Sequence, residues 1–134
     1  VYVAPGTYTE SPTITHSGTN TSRLKFISQT SRAAVISLPG ANTWAMNVNN
    51  ASYNEFQGFR FNGSAIAPGA GAYGVNVQGS SYILFQDCEF DHSNEGVRAA
   101  TQPTTVLLNP DTELLDAGLD RLADGGAVSV ATRV

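Results

Sequence analysis

The sequence predicts an all-β fold, a right-handed parallel β-helix (solenoid) of about three to five coils. Over a third of the 134 residues are Ser, Thr, Asn or Gly, a composition typical of many short strands joined by turns. A 19-residue segment also recurs without a gap, because residues 46–64 and 75–93 are identical at eight positions at an offset of 29. Several short strands within a repeating unit of this length indicate one coil of a stacked solenoid.

The composition argues against several other classes of protein. Charged residues make up only 13% of the chain and hydrophobic residues 41%, so we expect neither a disordered chain nor a coiled coil. The net charge of −4 and the single lysine, Lys25, argue against a nucleic-acid partner, which needs a basic surface. No apolar run of about 18 residues is present, so no membrane insertion is expected. The only cysteine, Cys88, is expected to be a small buried hydrophobic residue.

The first coil is predicted from its turn residues. Pro5-Gly6 should make a corner, after which Tyr8 returns to the core.

The repeat predicts the next strands and what stacks on what. We expect strands over residues 46–49, 55–62, 75–78 and 83–91, separated by turns rich in Asn and Gly. Phe56 and Phe61 are both expected to point inward although their positions differ in parity, so a bend or bulge is predicted near Gln57-Gly58 and Gln86-Asp87. The Asn47/Asn76 column predicts an amide ladder. Residues 29 apart should fall in one column, which predicts a structural stack of four pairs: Val48 with Val77, Tyr53 with Tyr82, Phe56 with Phe85, and Phe61 with Phe90.

The last part of the chain differs in composition. We assign residues 1–110 to the coils and residues 111–134 to an acidic capping segment of the same domain, which carries −3 of the net charge of −4. Asp111 or Thr112 would cap a short helix running through Leu122, although Gly118 weakens that prediction. The segment would cover the open end of the solenoid, where unpaired strand edges invite aggregation.

The first coil also resembles the opening segment of a known superfamily. Residues 1–10, VYVAPGTYTE, followed by Ser17-Gly18-Thr19, resemble the pectate-lyase-like right-handed parallel β-helix proteins, particularly the alginate-lyase and chondroitinase-B-like branch. The resemblance covers residues 1–100 and implies an extracellular protein, secreted or at the cell surface, that binds or formerly processed an acidic polysaccharide. The chain begins at Val1 in a predicted strand, without a signal peptide, so we expect a fragment or a short member.

The resemblance supplies no catalytic residue. The aspartate group and the Gly-His-Gly element of the hydrolase branch are absent from the sequence, and no lyase motif places a basic residue. Catalysis by this chain alone is therefore not supported, and the catalytic residues stay unknown.

Charged side chains on the outward side of the repeat form the candidate site. Asp87, Glu89 and Asp91 have i, i+2, i+4 spacing, which on an uninterrupted strand puts three carboxylates on one face. No cofactor is certain, but these three are metal candidates for Ca²⁺. The substrate-binding candidates, which would meet sugar hydroxyls or a uronate carboxylate, are Arg60, Glu89, Asp91, His92 and Arg98. A solvated face whose charges pair across coils is the simpler interpretation.

Two functions therefore stay open. The first is a carbohydrate-associated β-helix whose partner is an acidic polysaccharide. The alternative is a structural or adhesive β-solenoid of a surface or phage-fibre protein, without enzymatic activity, that self-associates end to end or side by side.

Overall fold

The chain forms an all-β parallel β-solenoid of about four turns. The computed structural model describes residues 1–41, 43–67, 70–100, 104–109, 111–121 and 128–132. The first turn contains β1 (Tyr2–Val3), β2 (Gly6–Thr9) and β3 (Thr13–Ile14), and the second contains β4 (Leu24–Ser28), β5 (Ala34–Ser37) and β6 (Thr43–Asn49). The third contains β7 (Asn54–Gln57), β8 (Phe59–Asn62) and β9 (Ala72–Gln78), and the fourth β10 (Ile83–Gln86) and β11 (Glu89–Ala100). The terminal strands are β12 (Thr104–Leu108), β13 (Glu113–Arg121) and β14 (Val128–Thr132).

Equivalent strands of successive turns pair in parallel and build three faces. The first face is the six-stranded sheet β1-β4-β7-β10-β12-β14. The second face contains β2, β5, β8 and the start of β11, and the third contains β3, β6, β9 and the end of β11. Because β11 runs through the corner between them, the second and third faces are one continuous sheet, and β13 pairs along β11 with two shifts in register.

The register confirms the 29-residue stack predicted from the repeat. The predicted amide ladder is formed, since Asn76 Nδ2 donates to Asn47 Oδ1 at 2.9 Å. The rings of Tyr53 and Tyr82 stack with centroids 4.7 Å apart, and Tyr82 is 51% exposed. The other three predicted pairs are register partners on adjacent strands: Val48 with Val77, Phe56 with Phe85, and Phe61 with Phe90.

The valine column lies in the core, as the repeat predicts. Val48 of β6 and Val77 of β9 are both fully buried. Val77 is in turn the register partner of Ala99 on β11, so the column continues into the fourth turn with a smaller residue. This column fills the interior behind the third face.

Two columns of aromatic rings form a further part of the core. In the first, Phe26, Phe56 and Phe85 stack with centroids 5.1 and 5.3 Å apart. The second is the stacked pair of Phe61 and Phe90. The first column ends on an aliphatic side chain, because the register partner of Phe85 on β12 is the buried Leu108.

The bend expected between the first and second faces is present. Gly58 and Asp87 both have φ in the left-handed region, at 73° and 50°. This change of direction lets the residues on both sides of the corner point into the same interior.

Cys88 is confirmed as a buried residue of the core, with 0% exposure. Burial raises the pKa of its thiol to about 12, because desolvation disfavours the thiolate. The thiol therefore stays protonated and inert at neutral pH.

The helix expected after residue 110 is not formed, because Glu113–Arg121 is strand β13. Leu114 packs against the core, in register with Phe90 of β11. The free edge of β11 offers backbone partners along its length, and Gly118 has a poor helix propensity, so pairing with β11 prevails over the local preference. The end of the expected helix, from Leu122 to Gly126, lies outside the described residues.

The close approach of the paired strands β9 and β11 requires glycine at one position. A Cβ on Gly74 would lie 2.2 Å from the carbonyl oxygen of Gly96 in the next turn. We predict that Gly74→Ala lowers the free energy of unfolding by about 2 kcal/mol or more, because two paired strands must move apart. Denaturant unfolding followed by circular dichroism measures this loss.

Gly40→Ala is the matched control for that substitution. A Cβ at Gly40 meets nothing within 4 Å, so we expect a change within about 0.5 kcal/mol. Equal midpoints for the two variants would contradict the close approach of Gly74 to Gly96.

Candidate functional site

The predicted acidic residues lie in an ion network on the second face. Arg60 Nε lies 3.1 Å from Glu89 Oε1, and Arg32 Nη1 lies 3.3 Å from Glu89 Oε2. Glu89 thus lies between two guanidinium groups. We define the second-face network by six side chains that contact one another: Arg32, Arg60, Asp87, Glu89, Asp91 and Glu113.

Asp91 is the most buried member of the network, with a side chain only 4% exposed. Its Oδ2 accepts a hydrogen bond from Arg60 Nε at 2.9 Å and a second from Arg60 Nη2. Its Oδ1 accepts from Asn62 Nδ2 at 2.7 Å, as the stacking of these two residues predicts. Both oxygens are therefore used inside the protein, which suits a structural ion pair more than a ligand contact.

Asp87 does not lie on an uninterrupted strand with the other two carboxylates. It occupies the corner before β11, with φ of 50°, where its Oδ2 accepts from Ser31 Oγ. Within the described residues, no three His, Cys, Asp or Glu side chains are arranged to hold a metal ion. The Ca²⁺ site stays a prediction from the sequence.

Arg32 belongs to the network although sequence reasoning missed it. The register offset falls from 30 residues at Ile27/Gln57 to 25 at Ala34/Phe59, so residues 29–33 are an insertion in the second turn. An inserted residue has no counterpart at the repeat spacing. Its contacts with the fourth turn could not be found from column positions.

The network raises the pKa values of both its arginines and contains more carboxylates than guanidinium groups. Hydrogen bonding to Asp91 raises the pKa of Arg60 against the opposing effect of burial. Burial lowers the pKa of Arg32, but the hydrogen bond to Glu113 and the nearby carboxylates outweigh it, so this pKa is also raised. Four carboxylates surround two guanidinium groups, which makes the second face unsuitable for attracting a polyanion.

The remaining predicted site residues lie on two different parts of the surface. His92 follows Asp91 and is about half exposed, with Nδ1 3.5 Å from Asp91 Oδ2, so it borders the second-face network. Arg98 lies on the third face, where its Nε is 3.9 Å from Glu95 Oε2. The structure therefore brings together Arg60, Glu89, Asp91 and His92, and places Arg98 apart from them.

Arg98 belongs to an aromatic and polar patch on the third face. We define the third-face patch as Trp44, Tyr73, Arg98, Asn47 and Asn76. Trp44 and Tyr73 are register partners on β6 and β9, are half-buried, and stand outside the core cluster. The Arg98 guanidinium lies over the Tyr73 ring, 6.0 Å from its centroid, which is a cation–π distance.

The aromatic residues of this patch were missed by sequence reasoning although a signal was available. Trp44 and Tyr73 are separated by the same 29 residues as the repeat, but they lie just before its first identical position. Arg98 is in register with Asn76, at an offset of 22 residues instead of the 29 of the repeat. The third turn has seven more residues between β8 and β9 than the corresponding stretch of β11 has. The register offset therefore falls from 29 at Asn62/Asp91 to 22 at Tyr73/Glu95.

An apolar hollow of about 270 Å³ lies at the N-terminal end of the solenoid. Side chains of the first three turns line it, among them Val3, Ile14, Phe26 and Phe59, with Glu10 as a charged group. Such a lining offers little to sugar hydroxyls. We therefore do not assign a polysaccharide to it.

Comparison with known proteins gives no family for this chain. No protein family, no curated protein and no solved structure matches it. In the part of the chain that the structure describes, no helix is long and apolar enough to cross a membrane.

Proposed function

We propose that this chain is an extracellular carbohydrate-associated β-solenoid that binds an acidic polysaccharide on its third face. The observation that carries the proposal is the Arg98 guanidinium over Tyr73, next to Trp44 on the adjacent strand. The chain is proposed to bind rather than to cleave the polysaccharide.

The chemistry of the patch suits a uronate-containing chain. Aromatic faces pack against the apolar C–H faces of sugar rings, and the two aromatic residues of the patch keep part of their surface outside the core. A guanidinium group pairs with a carboxylate through two parallel hydrogen bonds, and the Arg98 side chain is 33% exposed. Adjacent strands are about 4.8 Å apart, comparable with the length of one sugar unit, so neighbouring rings of a glycan would meet Tyr73 and Trp44 in turn.

The resemblance of residues 1–10 to the pectate-lyase-like superfamily supports the same proposal. The parallel β-solenoid agrees with the fold that this resemblance implies. The proposal also includes membership in the superfamily, secretion or a place at the cell surface, and a contribution of Ca²⁺ to binding.

Calorimetric titration with alginate and polygalacturonate, with and without Ca²⁺, tests the proposal. We expect saturable binding that weakens at least ten-fold in Tyr73→Ala and in Arg98→Gln, equivalent to about 1.4 kcal/mol of binding free energy. Tyr82→Ala is the control, because Tyr82 is an exposed aromatic residue outside the patch.

The outcomes separate the function from the site. Binding that all three variants retain would mean that the third face is not the site. If neither polysaccharide binds and no unsaturated product forms, the carbohydrate proposal is wrong. The structural or adhesive solenoid would then be the better explanation.

A further inference from the structure

An inserted loop of the second turn reaches the far end of the solenoid. Arg32 Nη2 donates a hydrogen bond to the carbonyl oxygen of Asp111 at 2.8 Å, across a separation of 79 residues. Arg32 Nη1 lies 3.2 Å from Oε1 of Glu113, the first residue of β13. A single side chain therefore connects the second turn to the terminal strands.

The backbone around Arg32 is held in a conformation that aims this side chain. Its φ of 58° lies in the left-handed region, which is unfavourable for a residue with a side chain. The Arg32 N–H donates to the carbonyl oxygen of Gly58 at 2.7 Å, and the neighbouring Ser31 hydroxyl donates to Asp87. The third and fourth turns thus fix the loop in place.

Arg32 also separates two like charges that the register brings together. Glu89 and Glu113 are partners on β11 and β13, and like charges at neighbouring positions of adjacent strands destabilise a sheet. Arg32 Nη1 lies 3.3 Å from Glu89 and 3.2 Å from Glu113. The guanidinium turns a repulsion between β11 and β13 into an attraction that both carboxylates share.

We propose that Arg32 is an electrostatic latch that keeps the terminal strands closed on the fourth turn. When the latch is released, β12, β13 and β14 separate from β10 and β11 as a unit. Opening then costs less free energy, because Glu113 has lost its counter-charge while Glu89 keeps its contact with Arg60.

Opening has a defined consequence for the surface of the protein. Val106 and Leu108 of β12 are buried at 0% and 2% exposure and pair with β10. Their release uncovers this part of the core together with the unpaired edges of β10 and β11. An unpaired strand edge is a template for another strand, so the latch controls whether this end of the solenoid can pair further.

Hydrogen exchange measured by mass spectrometry tests the latch. In Arg32→Gln we expect the amides of β12 and β13 to exchange at least ten-fold faster, while those of β4 and β7 stay unchanged. Arg23→Gln is the matched control, because Arg23 is another second-turn arginine that donates to a distant carbonyl, that of Tyr82 at 2.7 Å. Its contact lies at the corner between β9 and β10 and not at Glu89 or Glu113, so exchange in β12 and β13 should not change.

A second substitution distinguishes charge from packing. Adding Glu113→Gln to Arg32→Gln removes one of the two repelling charges, and we expect most of the lost protection in β12 and β13 to return. A role of Arg32 in packing alone would give no such rescue. Unchanged exchange in Arg32→Gln, or equal loosening in Arg23→Gln, would overturn the latch.

Wild-type protein provides the same test without a substitution. Raising the salt concentration from about 0.05 M to about 1 M shortens the screening length to about 3 Å and weakens the contacts of the partly exposed Arg32. Exchange should accelerate in β12 and β13 and not in β4 and β7. Uniform acceleration, or none, would contradict the proposal even if Arg32→Gln failed to fold.

Discussion

Phe61→Ala should lower the free energy of unfolding by about 3–5 kcal/mol. Phe61 is fully buried and lies between two turns, with its ring stacked on Phe90 at 4.9 Å and edge-on to Phe85 at 6.1 Å. It also lines the apolar hollow at the N-terminal end. Truncation therefore enlarges an existing space instead of letting the core close, which places the cost towards the upper end of that range.

Chemical denaturation followed by circular dichroism measures this loss. Tyr2→Ala is the control, because Tyr2 is 73% exposed and its removal should change stability by less than about 0.5 kcal/mol. Phe61→Leu should fall between the two, since it keeps part of the buried volume. A Phe61→Ala protein with an unchanged midpoint would show that the observed register is wrong.

Arg60→Ala should destabilise the protein by about 3 kcal/mol, because it leaves the buried carboxylate of Asp91 without its counter-charge. Asp91 is 3% exposed, and its remaining side-chain contacts would be those with Asn62 and His92. The loss should lie at the lower end of the usual range, because the Arg60 side chain is 37% exposed and water can replace part of the contact.

The double variant Arg60→Ala/Asp91→Asn identifies the cause of that loss. If the cost arises from an unpaired buried charge, the neutral amide should recover much of the stability lost in Arg60→Ala. Equal instability of the single and double variants would instead indicate lost packing of the arginine stem.

The repeat made the central turns predictable because a stacked solenoid uses the same residue at the same place in each turn. The pairing of Val48 with Val77, the tyrosine stack and the amide ladder all follow from one spacing of 29. The bend at Gly58 and Asp87 also followed, because two inward phenylalanines of opposite parity require a change of direction.

Insertions limited what could be predicted about the candidate sites. Arg32 lies in five inserted residues, so no column position pointed to its contacts with Glu89 and Glu113. The third face lies beyond a further insertion, and the offset there falls to 22. Arg98 and Tyr73 therefore meet at a spacing that the repeat does not contain.

The sequence by itself determined the solenoid, the register of its central turns and the valine and phenylalanine columns of its core, because these side chains repeat at the period of one turn. Only the tertiary structure decided that Glu113–Arg121 is a strand, since its backbone pairs with the free edge of β11. The partners of the charged residues were also decided at that level. Charge pairing depends on distances across turns of unequal length, and such distances are not encoded in a local pattern.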